Sequence, residues 1–210
     1  MKKFKKSKKR LQEGQYRPKE EQKKLSKTFW MGVFIAAIMI LSVIGYVWNG
    51  GNDTDFEYNG FSLILTEEGF WTMDYNGQDI IFYNHPTEVE YLKMDTDTSN
   101  ALKNAKMIYA TSDPDDLLKE AIGGAEFEIK REIEKKGIYF IYSFTDANEF
   151  NRTIMTCDNA TPSVPVLYFT HGNTTNISSS NNCIISQADS AFGIRKLRDR
   201  LLYAFLGVIE

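Results

Sequence analysis

Residues 106–144 read KMIYATSDPDDLLKEAIGGAEFEIKREIEKKGIYFIYSF, and this stretch decides the fold. KMIYATS is a short apolar and β-branched run of strand type. Asp113-Pro114-Asp115-Asp116 then opens a helix. Asp113 is a capping residue, Pro114 suits the first helical position, and the acids favour the positive end of the dipole. Leu118, Ile122, Ala125, Ile129 and Ile133 follow at three- and four-residue spacing, an apolar stripe that faces a core. Lys135-Lys136-Gly137 supplies basic residues in the last turn and a glycine stop. GIYFIYSF is near-continuously apolar, as in a buried strand. Strand, helix and strand together imply a right-handed crossover and parallel pairing. Gly123-Gly124 weakens the helix interior by about 1 kcal/mol per glycine. Close packing on a sheet is the reading of that pair, because a phosphate site would place glycines at a helix start.

Upstream, FEYNGFSLIL, GFWTMDY and QDIIFYNH are rich in aromatic and β-branched residues, separated by Glu67-Glu68-Gly69 and Asn76-Gly77. Asn-Gly between such runs is a strong two-residue hairpin signal, because both central residues need positive φ. EVEYLKM reads as a further strand and Thr98–Ala105 as a short helix. Downstream, VPVLYFTH and NNCIISQA read as strands. A final helix runs from Ser190 to about Val208, with Ile194, Leu197, Leu201, Ala204, Phe205 and Val208 as its stripe. Arg195, Lys196, Arg198 and Arg200 fall on its other faces, and the stripe docks on the sheet. The fold class is α+β or α/β: an antiparallel meander over 56–85, then a layered α/β part over 86–210. At roughly 160 residues this is the length of one domain.

Ahead of that domain stands TFWMGVFIAAIMILSVIGYVW, residues 28–48, with no charged residue. As a helix it would reach roughly 31 Å, near the ~30 Å hydrocarbon thickness of a bilayer. Trp30 and Trp48 lie near its ends, where indoles prefer the headgroup zone. The first 27 residues hold 12 Lys or Arg against 3 Glu, and after Trp48 the next basic residue is Lys93. Basic flanks stay in the cytoplasm, so the tail 1–27 is expected inside, 28–48 across the membrane, 49–55 as a polar linker and 56–210 outside. A cleaved signal peptide fits less well, since its apolar region runs about 7–15 residues before a small-residue site. The tail also attracts anionic lipid. Nucleic-acid binding is the weaker reading, because the tail has few interleaved aromatics and no recognition fold beside it. Gly32 and Ala36 form a small-xxx-small pair of the kind that favours self-association in a membrane.

Two further features agree with an outside domain. Cys157 and Cys183, the only cysteines, both lie in it, and a structural disulfide is the expectation for that compartment. Five N-x-[ST] matches occur, at Asn52, Asn151, Asn159, Asn173 and Asn176, of which Asn52 is too near the membrane for glycosylation.

Catalytic and cofactor motifs do not emerge, and no cofactor is expected. His85 and His171 each stand beside a turn residue, outside HExxH, GxSxG or Cys–His patterns. Asp95-Thr96-Asp97-Thr98 resembles the DxDxT motif of haloacid-dehalogenase-like phosphatases, a resemblance that would imply Asp95 as nucleophile and Asp97 as general acid. It covers barely ten residues, and the following strand comes too soon for that layout. A solvated acidic turn is the better reading. Calcium at Asp95, Asp97 and Ser99 would fall short of the six to eight oxygens that ion takes.

FEYNGFSL, NHPTEVEYL, TIMTCDNATPSVPVLYF and NNCIISQA, with the terminal helix, resemble uncharacterised single-pass membrane proteins predicted from archaeal genomes. That resemblance implies an extracytoplasmic α/β domain and transfers no activity. The expected function is non-catalytic: binding or scaffolding in the cell envelope, with an envelope protein or a second copy as partner. The alternative, a membrane-anchored metal-dependent hydrolase, requires Asp95, Asp97 and Asp146 to converge in a cleft.

Overall fold

A computed structural model describes residues 27–49 and 55–209. The chain forms two compact units, Met1–Asn52 and Asp53–Glu210. In the first, α1 (Lys27–Asn49) is a helix of 23 residues with exposed apolar side chains such as Trp30 and Phe34. Among the described residues no helix is long and apolar enough to cross a membrane. The described side chains of α1 reach only to Ile44, short of the end of the uncharged run. The tail 1–26, residues 50–54 with the Asn52 sequon, and the Trp48 side chain lie outside the described residues.

The second unit is mixed α and β. A four-stranded antiparallel meander runs in the order β1 (Asp55–Tyr58), β2 (Phe61–Leu65), β3 (Trp71–Asp74) and β4 (Asp79–Phe82). FEYNGFSLIL is two strands rather than one, because Asn59 and Gly60 both adopt positive φ (49° and 81°) and turn the chain. Asn76 and Gly77 (56° and 79°) make the expected hairpin. EVEYLKM is not a strand. His85 caps a short helix α2 (Pro86–Val89): its ring nitrogen accepts from the Thr87 amide, and Glu88 accepts from the His85 amide at 2.7 Å. This reciprocal cap, with Pro86 at the helix start, sets the conformation before any strand can form. Helix α3 (Thr96–Asn104) follows.

The second sheet contains β5 (Met107–Ser112), β6 (Tyr139–Phe144), β7 (Val166–His171), β8 (Asn176–Ser180) and β9 (Cys183–Ala188), in the order β6-β5-β7-β9-β8. β5 pairs parallel with β6 and β7, β7 pairs parallel with β9, and β8 is an antiparallel edge. β8 is a polar edge strand without apolar alternation, closed onto β9 by Asn181 and Asn182, both at positive φ. Helix α4 (Lys119–Glu134) links β5 to β6. It starts later than Asp113-Pro114 suggests, because the aspartates bond within the loop. Asp113 Oδ1 accepts from the Asp115 amide at 2.8 Å and Asp116 Oδ1 from the Leu118 amide at 2.7 Å. Asp116 Oδ2 also accepts from the His171 amide at 2.8 Å, tying this loop to the end of β7.

Helix α5 (Ala191–Leu206) explains the layering. Ser190 caps its start, Gly207 at φ 78° ends it, and twelve of its sixteen residues are buried. A helix covered on one side would keep a solvated face. This one lies against β9 on one side and the meander on the other, where Phe82 stacks on Tyr203 at 4.1 Å between centroids. The unit is therefore meander, helices, mixed sheet. On the sheet's other face, residues 145–165 are pinned by Thr111 Oγ1 donating to the Met155 carbonyl at 2.7 Å and by the Cys157–Cys183 disulfide.

Candidate functional site

Helix α4 buries Ile122, Ala125, Ile129 and Ile133, as its stripe requires. Gly123 and Gly124 do not serve close packing, contrary to the sequence reading: a Cβ on either would meet nothing within 4 Å. Each glycine instead lines a cleft, one on either flank of the helix.

The Gly124 cleft, about 190 Å³, is walled by Tyr83, Ala121, Glu128, Arg195 and Arg198. Its polar groups are committed to one another. Arg198 pairs with Glu128 at 3.0 Å, and the Tyr83 hydroxyl donates to Glu128 at 2.8 Å. Beneath them Arg198 donates to the Ile81 carbonyl at 2.7 Å, while Asp199 Oδ2 accepts from the Tyr83 and Asn84 amides and from Asn84 Nδ2 at 2.8–2.9 Å. This network locks β4 onto α5. Arg198 and Arg200 are thus buried, not on solvated faces, and Arg200 Nε donates to the Leu92 carbonyl at 2.9 Å. Helical charges flanking an apolar stripe ordinarily face water; a second covering layer removes that option here.

The Gly123 cleft, about 260 Å³, differs in chemistry. It opens where β5 and β6 end, at Ser112 and Phe144, beside the first turn of α4. The carboxyl ends of parallel strands are where open α/β sheets receive ligands. Leu118 at the N-cap makes no side-chain cap hydrogen bond; the carboxylates at this end of α4 are Asp116, which accepts from the Leu118 amide, and Glu120 in the first turn. Glu126 lines the cleft at 3% exposure, and its Oε1 has no hydrogen-bond partner. Burial pushes its carboxyl up to about 8, against the opposite pull of Arg152. Arg152 lies over three rings, Tyr142 and Phe144 at 5.1 Å and Phe150 at 5.9 Å from guanidinium carbon to centroid, and makes no salt bridge among the described residues. Glu126 was legible in one respect: it stands four after Ile122 and three before Ile129, inside the apolar stripe.

The residues singled out from sequence fall elsewhere. Asp95 caps α3, accepting from the Thr98 amide and hydroxyl at 2.8 and 2.7 Å. Ser179 on β8 and Thr98 together hold its carboxyl down at about 2. Asp97 is exposed in the same turn, and Asp146 follows β6. β6 and β8 are opposite edges, four strand spacings of ~4.8 Å apart, so Asp146 and the Ser179-bound Asp95 are separated by roughly 19 Å. The three carboxylates required by a hydrolase do not converge, and among the described residues no group of three or more His, Cys, Asp or Glu could hold a metal ion. His85 sits among Trp71, Phe56 and Tyr58, with its centroid 4.6 Å from that of Trp71. Cys157 and Cys183 are bonded, with Cα atoms 5.1 Å apart. Asn151, Asn159, Asn173 and Asn176 are all exposed.

Meander, helices and mixed sheet form a three-layer α+β domain with a cleft at the ends of β5 and β6. Neither family models, curated proteins nor solved structures yield a match to this chain.

Proposed function

We propose that this protein is a membrane-anchored, extracytoplasmic domain that binds a partner or small ligand without chemical turnover, using the Gly123 cleft. The carrying observation is a vacant helix flank above a buried carboxyl with an unpartnered oxygen, at the carboxyl ends of β5 and β6. Such a group costs stability where it stands, which suits a site completed by a ligand. Phe150, 62% exposed, and Phe144 line the cleft and give it an aromatic wall.

Anchoring is supported by the uncharged run 28–48, the 23-residue helix that contains it, the basic tail and the disulfide. On this reading Trp30 and Trp48 stand at the two interfaces, the tail meets anionic lipid inside, and the four exposed sequons face outward as candidate glycan acceptors. An envelope protein or a second copy is the macromolecular partner the reading allows.

Binding is tested on the full chain in detergent with a mixed library of small acids, amines and neutral compounds, read by thermal shift. The expected result is hits lost in Gly123→Leu; a library silent in every class overturns the reading. Orientation is tested by protease treatment of intact spheroplasts, where a C-terminal tag should be cleaved and an N-terminal tag protected.

A further inference from the structure

Taking the Gly123 cleft as the binding site, we infer that its ligand is a small monocarboxylate with an apolar or aromatic body. The cleft's volume, about 260 Å³, lies below the ~300 Å³ at which drug-sized sites begin, so the ligand is small. Its walls are apolar where Phe144, Phe150 and Pro114 line it, which suits a hydrocarbon body. Its charged groups favour an anion. Arg152 is exposed and bound only to ring faces, leaving its N–H fork for a carboxylate. Lys119 has only the exposed Asp115, at 3.8 Å, as ion-pair partner.

Glu126 supplies the remaining half of the recognition. As a neutral carboxyl it donates its proton in a hydrogen bond to one ligand oxygen, while Arg152 pairs with the other. The groups facing Glu126 are Tyr142 from β6, Arg152 from the loop after it, and Lys119 and Glu120 from α4 itself. Glu120 opposes an anion, but it is exposed and faces two cations. An amine ligand would take the Glu126 proton and form a carboxylate–ammonium pair. It would then have to sit beside Arg152 and Lys119, and the ring faces that could hold its charge already carry a guanidinium.

The test is calorimetric titration of the full chain in detergent with phenylacetate, phenylacetamide and phenethylamine, which share one body. Phenylacetate is expected to bind about tenfold tighter than the amide at about pH 6, with the amine silent. Its affinity should fall by about tenfold towards pH 10, as Glu126 ionises and repels it. Glu126→Gln should retain binding and lose the pH dependence, because the amide still donates. Arg152→Met should lose about tenfold in affinity, with the aromatic wall still in place. Amine or amide binding as tight as the acid overturns the carboxylate class and leaves the binding function standing. Silence of all three overturns the inference, and the mixed library then decides whether the cleft binds anything.

Discussion

Glu126 is the residue at which stability and function pull apart. Its carboxyl protonates at about 8 in the folded chain against 4.5 when free, so the folded state holds a proton that the unfolded state has released across that interval. Stability should therefore fall as pH rises through the window, by at most ~1.4 kcal/mol per pH unit. Glu126→Gln should flatten that fall, checked by urea midpoints at about pH 5 and pH 8; parallel slopes in the two proteins would sink the assignment. Gly123 gives a complementary expectation. Its backbone is helical and its flank is open, so Gly123→Ala should stabilise by about 0.5–1 kcal/mol, seen as a higher Tm. A lower Tm would mean that the flank is closed. The glycine pair was conspicuous in the sequence but ambiguous, because a helix glycine serves a close neighbour and a vacant space alike. Only the absence of atoms around it separates the two.

Among elements, α5 carries the largest share of the architecture. Its Asp199 takes three hydrogen bonds from Tyr83 and Asn84 and lies against Arg198. Asp199→Ala should cost about 3–5 kcal/mol, because it removes one partner of a buried ion pair and leaves the Tyr83 and Asn84 amides without their acceptor, while Arg198 keeps Glu128 and the Ile81 carbonyl. Denaturant unfolding measures this, and a loss under about 1 kcal/mol would show the lock to be dispensable. The strap over 145–165 depends on the disulfide instead. Replacing both cysteines by alanine should cost roughly 3.5 kcal/mol, the closure entropy of the loop from Cys157 to Cys183. The hairpins were the most legible elements, for Asn76-Gly77 and the overlooked Asn59-Gly60 carry the same φ requirement. The α4 start was misplaced, since an aspartate beside a proline caps a helix or closes its own turn with one and the same oxygen.

At the scale of the whole molecule, orientation and layering raise different questions. If residues 56–210 are outside the cell, a membrane-impermeant maleimide applied after mild reduction should label Cys157, the less buried of the two cysteines. Labelling that requires permeabilised cells would place the domain inside. What the sequence determined by itself was local and periodic: the α4 and α5 stripes, the parallel β5–α4–β6 unit, the hairpin at Asn76-Gly77 and the uncharged run ahead of the domain. These depend on backbone preference and on hydrophobic spacing within a few residues, which any short window contains. The tertiary structure alone decided that the meander covers the helices. That second layer buried Arg198 and Arg200, which periodicity put off the apolar stripe, and Asp199 between them. The same packing set Glu126 beside Arg152 across 26 residues of chain and left the space over Gly123 unfilled. Burial and vacancy depend on what arrives from elsewhere in the chain, and no local pattern records that.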